Sequence, residues 1–293
     1  MMTFEQFGSA HGLILRNAIP DWVKHSCPTE NKPHKRNGRY KFDGNFGWVR
    51  AWDGDAETHY FTPEVSGAKP DPLVRARVMR RQTEERDALV HDQNVAAERA
   101  RARIERCKVG FHPYFGKKGL YDGMGLVDPQ VVTIEGIECT DCLLVPMRDW
   151  NTGDILSAQW INDDGQKKFM PGGRTKGAVH VLGPRSASVT WLCEGYATGW
   201  TVAAAVKTMY RQDRVVVCFS AGNLKFVAER MGGERRVVAD NDLPDKYGRQ
   251  AGQDAAAATG LAWTMPPTEA TDMNDLGGAE SLRAVVKLMR AIL

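Results

Sequence analysis

Beyond residue 188, short apolar runs rich in β-branched residues alternate with stretches of helical composition, and no other feature limits the fold as much. The runs at 189–193, 215–219, 236–239 and 261–265 read as strands, and the stretches 199–210, 223–231, 250–259 and 279–292 read as helices. Regular alternation of this kind needs crossover connections. The expected product is an α/β fold, a mostly parallel sheet flanked by helices on both faces.

Upstream the pattern differs. Short apolar strands separated by turns occupy 131–134, 142–146, 155–161 and 179–182. Residues 73–106 hold neither Pro nor Gly and are dominated by Ala, Arg, Glu and Gln, which predicts a long helix or a helical hairpin. Pro63, Gly67, Pro70 and Pro72 fall close together, and such breakers read as a linker with a boundary near residue 70. Before it, Tyr40, Phe42, Phe46, Trp48, Trp52, Tyr60 and Phe61 interleave with Gly38, Gly44, Gly47 and Gly54, the pattern of a small β-containing module. Lys24, Lys32, Lys35, Arg36, Arg39, Lys41 and Arg50 lie among these aromatics. The rings are either the core of a small domain or a surface that stacks single-stranded bases. Four segments follow: a module at 1–70 with possible nucleic-acid binding, a helical connector at 71–107, a basic mixed subdomain at 108–185, and the α/β segment at 186–293.

The 293 residues carry 39 Lys plus Arg against 36 Asp plus Glu, a formal charge of +3, which permits a nucleic-acid partner without requiring one. No apolar run approaches a membrane span and the first residues lack a secretory pattern, so a cytoplasmic protein without membrane contact is expected. The six cysteines follow no regular spacing and read as reduced thiols. Cys139 and Cys142 form a lone CxxC, and His25, Cys27 and His34 are equally incomplete, so no zinc site is expected.

In an open α/β sheet, ligands bind beyond the carboxyl ends of the strands, and three strands here run into acids. The first ends in Glu194-Gly195, the second in Asp240-Asn241-Asp242, and the short third strand leads through Pro266 and Pro267 to Asp272-Met273-Asn274-Asp275. Carboxylates gathered on one edge need a counter-charge, and hard oxygen ligands suit Mg²⁺ or Mn²⁺. Asp240 and Asp242, two apart, can point to the same side, and Gly195 leaves room for a phosphate. Two ions so held would stabilise both oxygens of a phosphoryl transfer.

These residues resemble the Toprim domain of bacterial-type primases, topoisomerases and some nucleases. The fuller string is Cys193-Glu194-Gly195-Tyr196-Ala197-Thr198, Ala221-Gly222-Asn223-Leu224, Asp240-Asn241-Asp242 with Gly252, and Asp272-Met273-Asn274-Asp275-Leu276. It is similar to the Toprim primases of plasmids and phages. His112-Pro113-Tyr114-Phe115 with Lys118-Gly119, Leu144 to Asp149, Gln159-Trp160-Ile161 and Lys176-Gly177 resemble the basic subdomain that precedes Toprim in primase cores. The resemblance implies a DNA primase, a nucleotidyltransferase of DNA replication that makes short primers on single-stranded DNA from nucleoside triphosphates. Asp240, Asp242 and Asp272 would be ligands of Mg²⁺ or Mn²⁺, with Asp275 the alternative to Asp272. Glu194 would be a general base or a further acid of the metal site. Arg148, Lys168, Lys176 and Gly195 would meet nucleotide or template phosphates. Tyr196 and Thr198 would shape the turn.

The resemblance also departs from its family. Such primases commonly begin with a zinc ribbon, whereas residues 1–70 hold only Cys27 among the cysteines, so a metal-free fold or another protein takes that role. No GxxxxGK[ST] loop occurs, and a separate replicative helicase is expected. Two other functions fit the same acids: a metal-dependent Toprim nuclease, and a non-catalytic replication protein that binds single-stranded DNA.

Overall fold

The computed structural model describes residues 2–52, 57–62, 72–245 and 248–293. Gly54 and the breakers Pro63, Gly67 and Pro70, on which the linker rests, lie outside them. The chain divides into two compact units, Met1–Ala88 and Leu89–Leu293.

In the first unit, α1 (Phe4–Ala10) precedes four antiparallel strands, β1 (His25–Cys27), β2 (Gly38–Phe42), β3 (Gly47–Ala51) and β4 (His59–Phe61), in that spatial order. Thr3 caps α1 through a reciprocal box with Gln6, satisfying donors that a helix start leaves orphaned. Period-two alternation turns Tyr40, Val49, Ala51 and Phe61 onto one face, where Phe4, Leu13 and Cys27 complete a core. The Phe4 ring stacks on Phe42 at 4.3 Å and meets Phe61 edge-on. Gly47 makes this possible. A Cβ there would lie 2.4 Å from the Phe4 ring and 2.6 Å from the Lys41 carbonyl oxygen. The unit boundary falls within α2 (Pro72–Arg106), one 35-residue helix rather than a hairpin.

The second unit continues with β5 (Lys108–Gly110), α3 (Pro113–Lys117), β6 (Gly125–Asp128) and the hairpin β7 (Val132–Ile134) and β8 (Ile137–Cys139). Then come β9 (Cys142–Asp149), β10 (Ile155–Ile161), β11 (Lys167–Phe169) and β12 (Ala178–Leu182). The alternating region supplies β13 (Val189–Cys193), α4 (Tyr196–Thr208), β14 (Arg214–Val217), α5 (Ala221–Ala228), β15 (Glu234–Val238), α6 (Ala251–Ala257), β16 (Ala262–Thr264), α7 (Met273–Ala279) and α8 (Leu282–Arg290). One sheet runs β11-β10-β9-β12-β14-β13-β15-β16, with β6 beside β9 and β5 beside β6.

The α/β architecture expected from the sequence is present: β14, β13, β15 and β16 are mutually parallel. The sheet as a whole is mixed, because β12 pairs antiparallel with both β14 and β9 and carries it on into the upstream strands. Both faces of the parallel part are dry. Trp191, Cys193, Val215, Val217 and Val238 pack toward α4, α7 and α8, while Leu192, Val216 and Val237 pack toward α5 and α6. Strands covered on both sides read as continuous apolar runs. A third cluster sets Ala96 and Ala100 of α2 against Leu144, Ala158 and Trp160.

One expectation needs correcting. The closing helix expected at 279–292 is present as α8 (Leu282–Arg290), but a further helix that the pattern does not predict, α7 (Met273–Ala279), precedes it. Asp272 caps α7 by accepting from the Asn274 and Asp275 amides, and the side chain of Asp275 accepts from the Asp272 amide in return. The ordinary cap signal S/T/D/N-x-x-E/Q appears here with Asp in both places, and Gly277-Gly278 weakens the helix soon after.

Gly47→Ala is expected to destabilise the first unit by about 2 kcal/mol, because the Lys41 carbonyl is backbone and cannot step aside. Chemical denaturation of the full chain, followed by tryptophan emission, measures it.

Candidate active site

The carboxyl ends of the parallel strands collect the acids. Glu194 follows β13 directly, and the Ala221 amide at the start of α5 is near enough to lower the proton affinity of its carboxylate. The backbone there is fixed, with the Phe219 amide donating to Glu194 O at 2.9 Å. Gly195 is the N-cap of α4, and a Cβ on it would approach Thr198 Oγ1 at 3.2 Å. Gly199, one turn on, lets α4 settle on β14: a Cβ there would stand 2.6 Å from a Val217 methyl.

Asp240 lies two residues past β15 and is half-buried. Its Oδ1 is buried without a hydrogen-bond partner. Burial, then Asp272, Glu194 and Asp242 in that order, push its carboxyl up to about 7, against a smaller opposing pull from Lys167. Glu194 is shifted upward as well, by burial and then Asp242, with Lys167 again opposing. Asp242 is better provided for, since its Oδ2 accepts from the Gly252 amide at 2.7 Å. Only glycine fits at 252, where a Cβ would lie 2.7 Å from the Asp240 carbonyl oxygen.

Asn241 brings the third acid in. Its buried side chain donates to Pro266 O at 2.9 Å and accepts from Gln253 Nε2 at 2.7 Å. Its backbone exchanges two hydrogen bonds with the segment before α7, Asn241 N to Thr271 O and Ala270 N to Asn241 O. Asp272 is thereby placed within electrostatic reach of Asp240. Asp275 takes a different position, exposed and 3.6 Å from Lys118 Nζ. Asn274, buried, ties α7 to the Lys118 carbonyl and to Thr201 Oγ1.

The cations expected at the site are distributed otherwise. Lys168 Nζ donates to Thr133 O and lines a cavity of about 410 Å³ together with Arg99, Arg103 and Arg106. Arg148 Nη1 donates to Gly153 O, and burial followed by the nearby Arg185 lowers its proton affinity. Lys176 lies over the Phe226 ring at 4.8 Å. The lysine that acts on Glu194 and Asp240 is Lys167, on β11, and Lys118 is the one beside Asp275. The sequence marks both as basic but does not say which way they face.

The residues present fit a hard divalent cation. The donors are carboxylate oxygens, and one of them, Asp240 Oδ1, is buried with nothing to bind. Among the described residues no three His, Cys, Asp or Glu side chains form a ready-made ligand group. Mg²⁺ does not require one, because it is usually held by one or two carboxylates, with water and substrate phosphate completing the octahedron. Cys139 and Cys142 are free thiols, and burial, then Cys139, pushes Cys142 up to about 12.

No family model matches the chain. The resemblance read from the motifs extends over most of the sequence: the chain is 28% identical over 267 residues to DNA primase TraC of Escherichia coli, a match that covers 83% of this chain and 24% of that protein. It therefore spans about a quarter of that relative. Two solved structures are similar at lower identity. The primase fragment of the bacteriophage T7 primase-helicase protein is 18% identical, with 60% of this chain and 68% of that one covered and a TM-score of 0.36. The DnaG catalytic core is 15% identical, with 72% and 73% covered and a TM-score of 0.37.

Because the folded value of Asp240 is raised, the native chain binds this proton more tightly than the unfolded one. Its contribution is most favourable below the unfolded value near 4 and is lost as pH rises to about 7. In chelator-treated protein, Asp240→Asn is expected to raise stability by about 2 kcal/mol at pH 8, a gain that shrinks toward pH 4. Thermal melts across that range test the sign.

Proposed function

We propose that this chain carries the catalytic core of a DNA primase, which joins nucleotides on a single-stranded template by two-metal nucleotidyl transfer. The observation that carries the reading is the meeting of Glu194, Asp240, Asp242 and Asp272 at one sheet edge, with Asp240 driven toward neutrality and one of its oxygens unpartnered. The similarity to DNA primase TraC supports it.

Asp240, Asp242 and Asp272 would hold Mg²⁺ or Mn²⁺, which when bound would supply neutralisation of the carboxylates and of the charge that develops on the reacting oxygens. Glu194, whose proton affinity is raised by burial and Asp242, accepts the proton of the attacking hydroxyl at its carboxylate. Phosphoryl transfer is mainly positioning and charge neutralisation, so the remaining work falls to cations. Lys167 and Lys118 draw the triphosphate toward the acids. Arg148, Lys168 and Lys176 hold phosphates farther out, and Gly195 leaves a side-chain-free approach to α4. A replicative helicase opens the duplex ahead of this core.

Purified protein incubated with unprimed single-stranded DNA, nucleoside triphosphates and Mg²⁺ or Mn²⁺ is expected to yield short labelled oligomers. The Asp240→Asn, Asp242→Asn variant should lose at least about 100-fold of that synthesis, in keeping with the loss of charge stabilisation at a transition state. Shortened template without new product would replace the reading with a nuclease; intact template and no product would leave a binding protein. Without nucleotides, Mg²⁺ should raise the melting temperature of the native chain and leave the double variant unchanged.

A further inference from the structure

The first unit has a second sheet face that its core does not use. Tyr40, Val49, Ala51 and Phe61 point inward, so Arg39, Trp48, Arg50 and Tyr60 point to the other side. The register makes two rows across the strands. Arg39 stands directly opposite Arg50, and Trp48 stands directly opposite Tyr60. Beyond Arg50 on the same face is Trp52, with the Arg50 guanidinium over its ring at 3.8 Å. Trp52 is 53% and Tyr60 47% exposed.

Folding does not account for this arrangement. Like charges directly opposite in an antiparallel pair are destabilising, and large exposed rings gain little from packing. Among the described residues neither arginine is paired with a carboxylate; Arg39 donates only to the carbonyls of Arg36 and Gly38. Arg50 Nε and Trp48 Nε1 are buried donors without acceptors. By contrast, Lys41, also on this face, is neutralised by Glu85 of α2 at 2.6 Å. The charge left over is therefore at the Arg39–Arg50 end, beside Trp52.

We propose that this face binds single-stranded DNA, with Arg39 and Arg50 on backbone phosphates and Trp52 and Tyr60 stacked on bases. A phosphate between the two guanidiniums removes their repulsion. The rings require base faces that a duplex keeps covered, so charge and stacking together select the single strand. The inference does not depend on the catalytic reading, because binding needs neither nucleotide nor metal.

Anisotropy of a fluorescein-labelled oligothymidylate with the full chain, in chelator, tests it. Trp52→Ala is expected to weaken binding about tenfold with the melting temperature unchanged. The Arg39→Gln, Arg50→Gln variant should flatten the dependence of log K on log salt by about 1.4, the slope of two phosphate contacts on a single strand. Photo-crosslinking of the native chain to 5-iodouracil DNA should modify the peptide that holds Trp52 and Tyr60. Unchanged affinity and slope in both variants, equal binding of a duplex with the same sensitivity, or crosslinks confined to residues 89–293 would overturn the proposal.

Discussion

Everything at the sheet edge depends on holding several carboxylates near one another where water is partly excluded. Mutual repulsion and lost hydration both oppose it. Rigid packing underneath overcomes them: β13, β14 and β15 are buried on both faces, so the residues that follow them cannot drift apart without exposing apolar surface. Asn241 extends that rigidity past the strand, since its side chain and backbone together fasten the segment that ends in Asp272. The result is a site organised by neutral groups and kept acidic against its own electrostatics.

Much of this was legible in the sequence, for a physical reason. Strands buried on both faces show as unbroken apolar runs, and the residue after such a run must be at the sheet edge. Glu194, Asp240 and Asp242 could therefore be placed from hydrophobicity alone. Asp272 was harder, because it is positioned by a capped loop rather than by a strand. The pattern predicts only the closing helix, α8, whereas α7 forms ahead of it and starts at Met273, where its Asp–Asp capping box places it.

The cations were less legible. Lys167 and Lys168 are adjacent on β11, and neighbours on a strand face opposite sides, so composition alone identifies a basic strand but not which lysine meets the acids. The β10–β11 hairpin sets Ile161 opposite Lys167 and Trp160 opposite Lys168, but which of its faces meets the acids depends on strands far off in sequence. The aromatics of the first unit pose the same question, and there alternation answered both ways: Tyr40 and Phe61 belong to the core while Trp52 and Tyr60 do not.

Asp272 has two tasks that call for different properties. As the N-cap of α7 it needs only an oxygen that accepts from the Asn274 and Asp275 amides; as one of the proposed metal ligands it would need a negative charge. Asparagine meets the first demand and fails the second, while alanine fails both. A lineage that dispensed with the chemistry could thus exchange a single carboxylate for an amide and keep its helix, its sheet edge and its outward form. In such a family, silence would leave its trace in charge and not in shape.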